Sequence, residues 1–281
     1  MKKSFLILAY LVLVWLLIAP GCYTFRTADK KAIAGFREKG VLLKTATVSV
    51  EDHPLHYAQT GDDHLPTLVF IHGTPGSWTA FSDYLADSLL QLRYRLISID
   101  RPGFGYSRFG AAINLRQQSQ LLGPLIARFR NGESLYLVGH SLGGPLVLQL
   151  ALDFPELATG LVLISGSIDP AAEKPERWRY VLDYSPLKCF LPGAFKPSNR
   201  ELIYLKTDLK KLEPQLNEIR LPIWFIHGRS DTWVPPVNVE FGLKKLSNTP
   251  SIDTLWLEGG HFIPWTAFPA IRDKLLQLPI R

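Results

Sequence analysis

Short apolar runs alternate with longer amphipathic stretches along most of this chain, and that alternation restricts the fold more than any other feature. Runs rich in apolar and β-branched residues occupy 45–50, 55–59, 67–72, 95–100, 135–139, 161–165, 223–227 and 254–258. Between or after them, 78–90, 115–129, 142–152, 236–246 and 265–276 carry apolar residues at three- and four-residue spacing, the period of a helix face. Strands separated by helical stretches are joined by crossovers, so the pattern predicts βαβ units and a mostly parallel sheet, with the first two runs as an antiparallel start. The expected class is α/β: an eight-stranded, mostly parallel sheet flanked by helices, within one domain at 45–281. The alternation is interrupted once, between Ser165 and Ile223. About fifty inserted residues are more than an ordinary connection needs, and a helical lid over the carboxyl edge of the sheet is expected at about 167–220.

One buried-strand run, Leu135-Tyr136-Leu137-Val138, leads directly into Gly139-His140-Ser141-Leu142-Gly143, and a helical pattern follows at once. Strand, sharp turn and helix around G-x-S-x-G is the geometry of a nucleophile elbow. Glycine lets neighbouring backbone approach a serine held in strained φ/ψ, and the helix start aims N–H dipoles at a developing oxyanion. A serine hydroxyl is a poor nucleophile at neutral pH, so a base must take its proton and a third group must hold that base.

Seven histidines are available. His53, His56 and His64 fall in the early hairpin, where surface or turn roles are expected. His72, His140 and His227 each end a strand beside a glycine, which suits packing or hydrogen bonding near the site. His261 differs, because Glu258-Gly259-Gly260-His261 lies between the last strand and the last helix and puts an imidazole on a loop above the sheet. It is the expected base. For the acid, Asp231 follows the strand ending at His227-Gly228, and Asp169 follows the preceding strand. Both satisfy the order serine, acid, histidine; the tighter turn and the following Trp233-Val234-Pro235 favour Asp231. His72-Gly73-Thr74-Pro75-Gly76 supplies a turn from which the Thr74 N–H can join that of Leu142 as an oxyanion pair.

From about residue 45 to its end, the chain resembles the α/β-hydrolase superfamily, in particular its lid-bearing, esterase- and lipase-like serine hydrolases. The elbow carries this resemblance, together with the His72–Gly76 turn, Asp100-Arg101-Pro102-Gly103-Phe104-Gly105-Tyr106-Ser107, and Gly260-His261-Phe262. It implies an acyl-enzyme mechanism with no metal and no cofactor, and it implies no catalytic role for the Asp100 loop. Relatives acting on epoxides or haloalkanes carry a carboxylate at the elbow, so Ser141 argues against those reactions. Esterase, lipase, thioesterase, C–C hydrolase and peptidase chemistry remain. Trp178, Tyr180, Tyr184, Phe190, Phe195 and Tyr204 in the insertion suit an apolar acyl pocket or the packing of the lid itself. The expected substrate is a small-molecule ester or lipid with an apolar acyl group. The rival from another class is a non-catalytic envelope binding protein, which would keep its role after Ser141→Ala.

The N-terminus has its own logic. Met1-Lys2-Lys3 precedes an uncharged apolar run from Phe5 to Ala19 and then Pro20-Gly21-Cys22, the layout of a secretory signal or membrane anchor over 1–22. Fifteen apolar residues fit a signal better than a permanent span, for which about 20 are usual. Ala19-Pro20-Gly21-Cys22 resembles the lipobox of bacterial lipoproteins, although Ala19 and Pro20 depart from the usual residues. It implies lipidation of Cys22 and a membrane-attached protein of the cell envelope; an uncleaved anchor and ordinary cleavage share the same physics. The only other cysteine, Cys189, is expected to pack under the lid with no disulfide. Residues 23–44 read as a linker with a short amphipathic helix. The formal charge of +6 comes from dispersed Lys and Arg interleaved with acids, which predicts no nucleic-acid partner.

Overall fold

All eight expected strands form, and they join one sheet. They are β1 (Lys44–Val50), β2 (His53–Thr60), β3 (Thr67–Ile71), β4 (Arg95–Ile99), β5 (Leu135–His140), β6 (Gly160–Ile164), β7 (Ile223–Gly228) and β8 (Ile252–Leu257). The spatial order is β1-β2-β4-β3-β5-β6-β7-β8. β2 pairs antiparallel with both β1 and β4, and all other neighbours pair in parallel. The computed structural model describes residues 2–174, 176–184 and 186–280.

The helices are α1 (Lys2–Ile18), α2 (Asp29–Glu38), α3 (Ser82–Ala86), α4 (Ser88–Arg93), α5 (Leu115–Ala127), α6 (Gly143–Asp153), α7 (Arg177–Asp183), α8 (Phe195–Leu212), α9 (Val237–Lys245), α10 (Ile263–Thr266) and α11 (Phe268–Leu276). Two expected helices are broken. The stretch 78–90 is interrupted at Asp87, whose backbone is extended and whose carboxylate accepts from the Leu90 N–H at 2.9 Å, capping α4. The stretch 265–276 restarts after Ala267 with Pro269 in the first turn of α11, because an interior proline would lack its N–H and clash with the preceding turn.

Side chains alternate across the central strands and divide the core in two. Val69, Ile71, Leu135, Leu137, Leu161, Leu163, Ile223 and Phe225 face a cluster that takes in residues of α5, α6 and α8. Leu68, Phe70, Tyr136, Val138, Val162, Ile164 and Ile226 face a second cluster under α2, α3, α4 and α11. The central strands β3, β5 and β6 are thus apolar on both sides, which is why these runs are continuous rather than alternating. Such a sheet leaves its chemistry to the loops at the carboxyl edge, where β3, β4, β5, β7 and β8 deliver Gly73, Asp100, Ser141, Asp231 and His261.

The insertion between β6 and β7 is helical among the described residues. Its long helix α8 buries Leu205, Leu209 and Leu212, whereas α7 buries nothing. Trp178, Tyr180 and Tyr184 are exposed, so in this arrangement they do not pack the insertion down.

The apolar helix at the N-terminus runs beyond the apolar residues themselves. With a 3₁₀ turn at Ala19–Gly21, the stretch Lys3–Gly21 is 19 residues, long and apolar enough to cross a membrane by length and composition. It touches the insertion: the Trp15 indole donates to the Phe190 carbonyl at 3.1 Å, and the Gly193 N–H to the Ala19 carbonyl at 3.0 Å. Here Cys189 departs from expectation. It is exposed, because residues 187–190 form a 3₁₀ turn against the N-terminal segment rather than a layer over the core, and Cys22 and Cys189 are both free thiols.

Within the stretch expected as a linker, α2 packs Ala32 and Phe36 into the second core cluster. It also reaches His56, which is buried and not the surface residue expected. The imidazole lies between Asp100, 3.0 Å from Nδ1, and Asp29 of α2, 3.2 Å from Nε2. Burial pulls the His56 pKa down, but the hydrogen bond and charge of Asp100, with Asp29, outweigh it and raise the value above the ordinary 6.5. A raised folded value means a stabilisation that is complete below 6.5 and is lost as pH rises through the folded value. His56→Gln is therefore expected to lower the thermal midpoint more at pH 6 than at pH 9. Melting curves across that range check this, and a pH-independent gap would contradict it.

Candidate active site

The strand β5 ends in a turn whose strain is visible in the backbone. Ser141 has φ 54°, in the left-handed region that a non-glycine residue adopts only when its surroundings impose it. What imposes it here is the immediate start of α6 and the hydrogen bond from the Ser141 N–H to the Ile164 carbonyl at 3.0 Å. At Gly143, the first residue of α6, a methyl group would overlap the Ile71 carbonyl oxygen, so the turn closes only around glycine. The Ser141 side chain is left partly accessible above the sheet edge.

Three expected residues meet there. His261 Nε2 lies 3.0 Å from Ser141 Oγ, and His261 Nδ1 lies 2.9 Å from Asp231 Oδ2. The carboxylate accepts only, so Nδ1 donates to it, and in the neutral ring Nε2 is the nitrogen left to accept the Ser141 proton. The other oxygen of Asp231 accepts from the Trp233 and Val234 N–H groups at 3.0 and 2.8 Å. Burial pushes the Asp231 carboxyl up, but the hydrogen bonds from His261 and Val234 and the nearby imidazole charges hold it below the usual carboxylate range. The rival acid, Asp169, accepts from the Ala171 N–H at 2.7 Å in a local turn.

The oxyanion candidates are also at this edge. Thr74 lies in the loop after β3 and Leu142 immediately before α6, and neither N–H donates to an acceptor among the described residues. The Thr74 hydroxyl is buried and equally without a partner. Leu142 is buried and Thr74 half-buried, and buried backbone donors in folded proteins are almost always satisfied, so both N–H groups are left able to meet an acceptor beside the accessible serine.

The three histidines at strand ends hold the frame. His140 donates from Nε2 to the His261 carbonyl at 3.2 Å; burial, then the neighbouring His261 charge, push its pKa down to about 3, which keeps it neutral. His227 donates to the Val234 carbonyl at 2.9 Å, bracing the Asp231 turn. His72 is held neutral by burial and then by Arg101, and its Nδ1 donates to the Gly73 carbonyl at 2.6 Å.

Sequence reasoning missed the aromatic wall around the imidazole. Trp233 stacks on His261 at 5.5 Å between centroids, and Phe262 packs edge-on against Trp233 at 5.0 Å. Trp233, Phe262 and Trp265 are all exposed, an apolar rim beside the site. Both flanking motifs contain these residues, but nothing local says that the two loops put them in contact.

The family model of the alpha/beta hydrolase fold matches residues 66–188. The chain is 26% identical to the pimeloyl-[acyl-carrier protein] methyl ester esterase of Nitrosomonas europaea over 257 residues, covering 76% of this chain and 95% of the relative. It is 25% identical to the 2-hydroxy-6-oxononadienedioate/2-hydroxy-6-oxononatrienedioate hydrolase of Burkholderia vietnamiensis over 252 residues, covering 75% and 85%. Among solved structures, that of a membrane phospholipase A described as a novel bacterial virulence factor superposes with a TM-score of 0.63 at 21% identity, covering 99% of this chain and 100% of that one. Strand order, the match across the elbow and relatives that are themselves hydrolases agree, and this chain belongs to the α/β-hydrolase superfamily as an enzyme of the hydrolase class.

Proposed function

We propose that the chain is a serine hydrolase cleaving carboxylic esters of apolar acyl groups through an acyl-enzyme. Ser141 is the nucleophile, His261 the general base and Asp231 the acid that orients it, with the Thr74 and Leu142 N–H groups as the oxyanion hole. The observation that carries the reading is the placement of one imidazole 3.0 Å from Ser141 Oγ and 2.9 Å from the Asp231 carboxylate. Ser141 Oγ attacks the carbonyl carbon as His261 Nε2 takes its proton, and Asp231 stabilises the imidazolium that forms. Charge building on the carbonyl oxygen is met by the two free N–H groups and the start of α6. His261 then protonates the leaving alcohol, and water repeats the sequence to release the acid.

The ester reading draws support from the esterase relative and from the aromatic rim, which suits an apolar acyl chain. A lipid ester is favoured by the apolar helix α1 and by the membrane phospholipase A structure, which also covers this N-terminal segment. The same helix supports reading the chain as attached to a membrane of the cell envelope, either through the uncleaved helix or through lipid on Cys22. The intact mass of the membrane-extracted protein separates the two.

C–C bond hydrolysis is the second reading, because the relatives acting on 2-hydroxy-6-oxo dienedioates match over a similar span. A series of p-nitrophenyl esters from acetyl to palmitoyl, run beside a 2-hydroxy-6-oxo dienoate, tests both. Turnover rising with acyl length is expected; cleavage of the dienoate with no ester turnover at any length would replace the ester reading.

A further inference from the structure

The largest fully buried charged side chain among the described residues, Arg101, has no part in that mechanism. Arg101 follows β4 and is fully buried, as is its partner Glu201 on α8 of the insertion. A guanidinium has five N–H donors, and all five are spent. Nε donates to the His72 carbonyl at 2.8 Å, and Nη2 to the Gly73 carbonyl at 3.0 Å and Glu201 Oε2 at 3.0 Å. Nη1 donates to Glu201 Oε1 at 2.7 Å and Gln118 Oε1 at 2.9 Å. One edge of Arg101 therefore grips the loop after β3, and the other grips the insertion.

The Gly73 carbonyl has consequences for Thr74. In a trans peptide the C=O of one residue and the N–H of the next point in opposite directions within one rigid plane. Pinning the Gly73 oxygen with Arg101 and His72 thus fixes where the Thr74 N–H points. That plane sits against the nucleophile, since a Cβ on Gly73 would lie 2.8 Å from Ser141 Cβ. Lysine could not replace this arginine, because a single ammonium cannot span two carbonyls and a bidentate carboxylate at once.

We propose that Arg101 is a positioning residue for the Thr74 oxyanion donor, and that its buried pairing with Glu201 makes this positioning depend on the seating of α8. The inference rests on the serine-hydrolase reading above. When α8 is docked, Glu201 holds the guanidinium plane against the loop; when it is displaced, Arg101 turns from the Gly73 carbonyl toward water and the donor loses its aim. The insertion would then govern transition-state stabilisation and not only access to the site.

The test uses the full chain in detergent micelles, p-nitrophenyl butyrate as substrate, phenylboronic acid as a tetrahedral-adduct inhibitor, and active-site titration to normalise rates. Losing one oxyanion donor costs about 10²–10³ in turnover, and a misaimed donor should cost about 10–10². Arg101→Lys is therefore expected to lower kcat by about 10–10²-fold with KM within about threefold, and to weaken phenylboronic acid in parallel. Glu201→Gln is expected to shift the same quantities less, and the double variant to be no worse than Arg101→Lys, since both act through one contact. If Arg101→Lys does not fold, Glu201→Gln decides alone through its boronate constant. Variants that melt earlier but keep the parental kcat and boronate inhibition per titrated site would overturn the proposal, leaving the pair a purely structural bridge. A parent that does not turn over the ester would overturn the serine-hydrolase reading and this inference with it, an outcome visible before any variant is measured.

Discussion

Replacing Ser141 with alanine is expected to lower ester turnover by about 10⁶-fold while leaving the fold intact. Among the described residues the hydroxyl is the nucleophile hydrogen-bonded to His261 Nε2, and a methyl group in its place cannot attack a carbonyl. Removing the oxygen relieves no packing, because Ser141 is partly accessible and its strained φ is set by backbone contacts that alanine keeps. The melting temperature should therefore stay close to that of the parent. Full retention of the cellular role by this variant would favour a binding protein, and residual turnover well above the uncatalysed rate would point to another nucleophile.

The second large effect is expected at Asp231. In Asp231→Asn the amide keeps the size of the carboxylate, but it can present its NH₂ to His261 Nδ1 and so favour the tautomer whose proton sits on Nε2, facing Ser141. The base is then blocked, and turnover should fall about 10⁴-fold. Acid stability should change as well. The folded carboxyl lies below its ordinary range, so the stabilisation it contributes is complete above the unfolded value of 3.8 and is lost as pH falls through the folded value. Asp231→Asn removes that component, and its thermal midpoint should depend less steeply on pH in the acid range than that of the parent. Rate profiles and melting curves check the two halves separately; a variant with parental turnover would return the acid's role to Asp169.

The parallel sheet was legible because each central strand is covered on both faces, which writes runs such as Leu68–Ile71 and Leu161–Ile164 as uninterrupted apolar stretches. The places where Ser141, Asp231 and His261 lie were legible for a related reason: parallel strands deliver their following loops to one edge, so residues far apart in sequence share a location set by topology. Helix continuity at 78–90 was not legible, since Asp87 reads as a tolerable polar position until its side chain is seen capping the next turn. Neither was the tie between Arg101 and Glu201, a pairing 100 residues apart that no local pattern encodes. His56 was misjudged because burial by α2 depends on a segment that reads as a linker, yet it inserts Phe36 against Trp78. Cys189 was misjudged in the opposite sense, because its turn rests on the N-terminal segment and not on the core.

Whether Ser141 is an activated nucleophile is decided by treating the folded chain with a fluorophosphonate probe and locating the modified residue by mass spectrometry. A single adduct on Ser141 is expected, absent in Ser141→Ala and greatly slowed in Asp231→Asn. A folded protein that is labelled elsewhere, or equally in both variants, would contradict it.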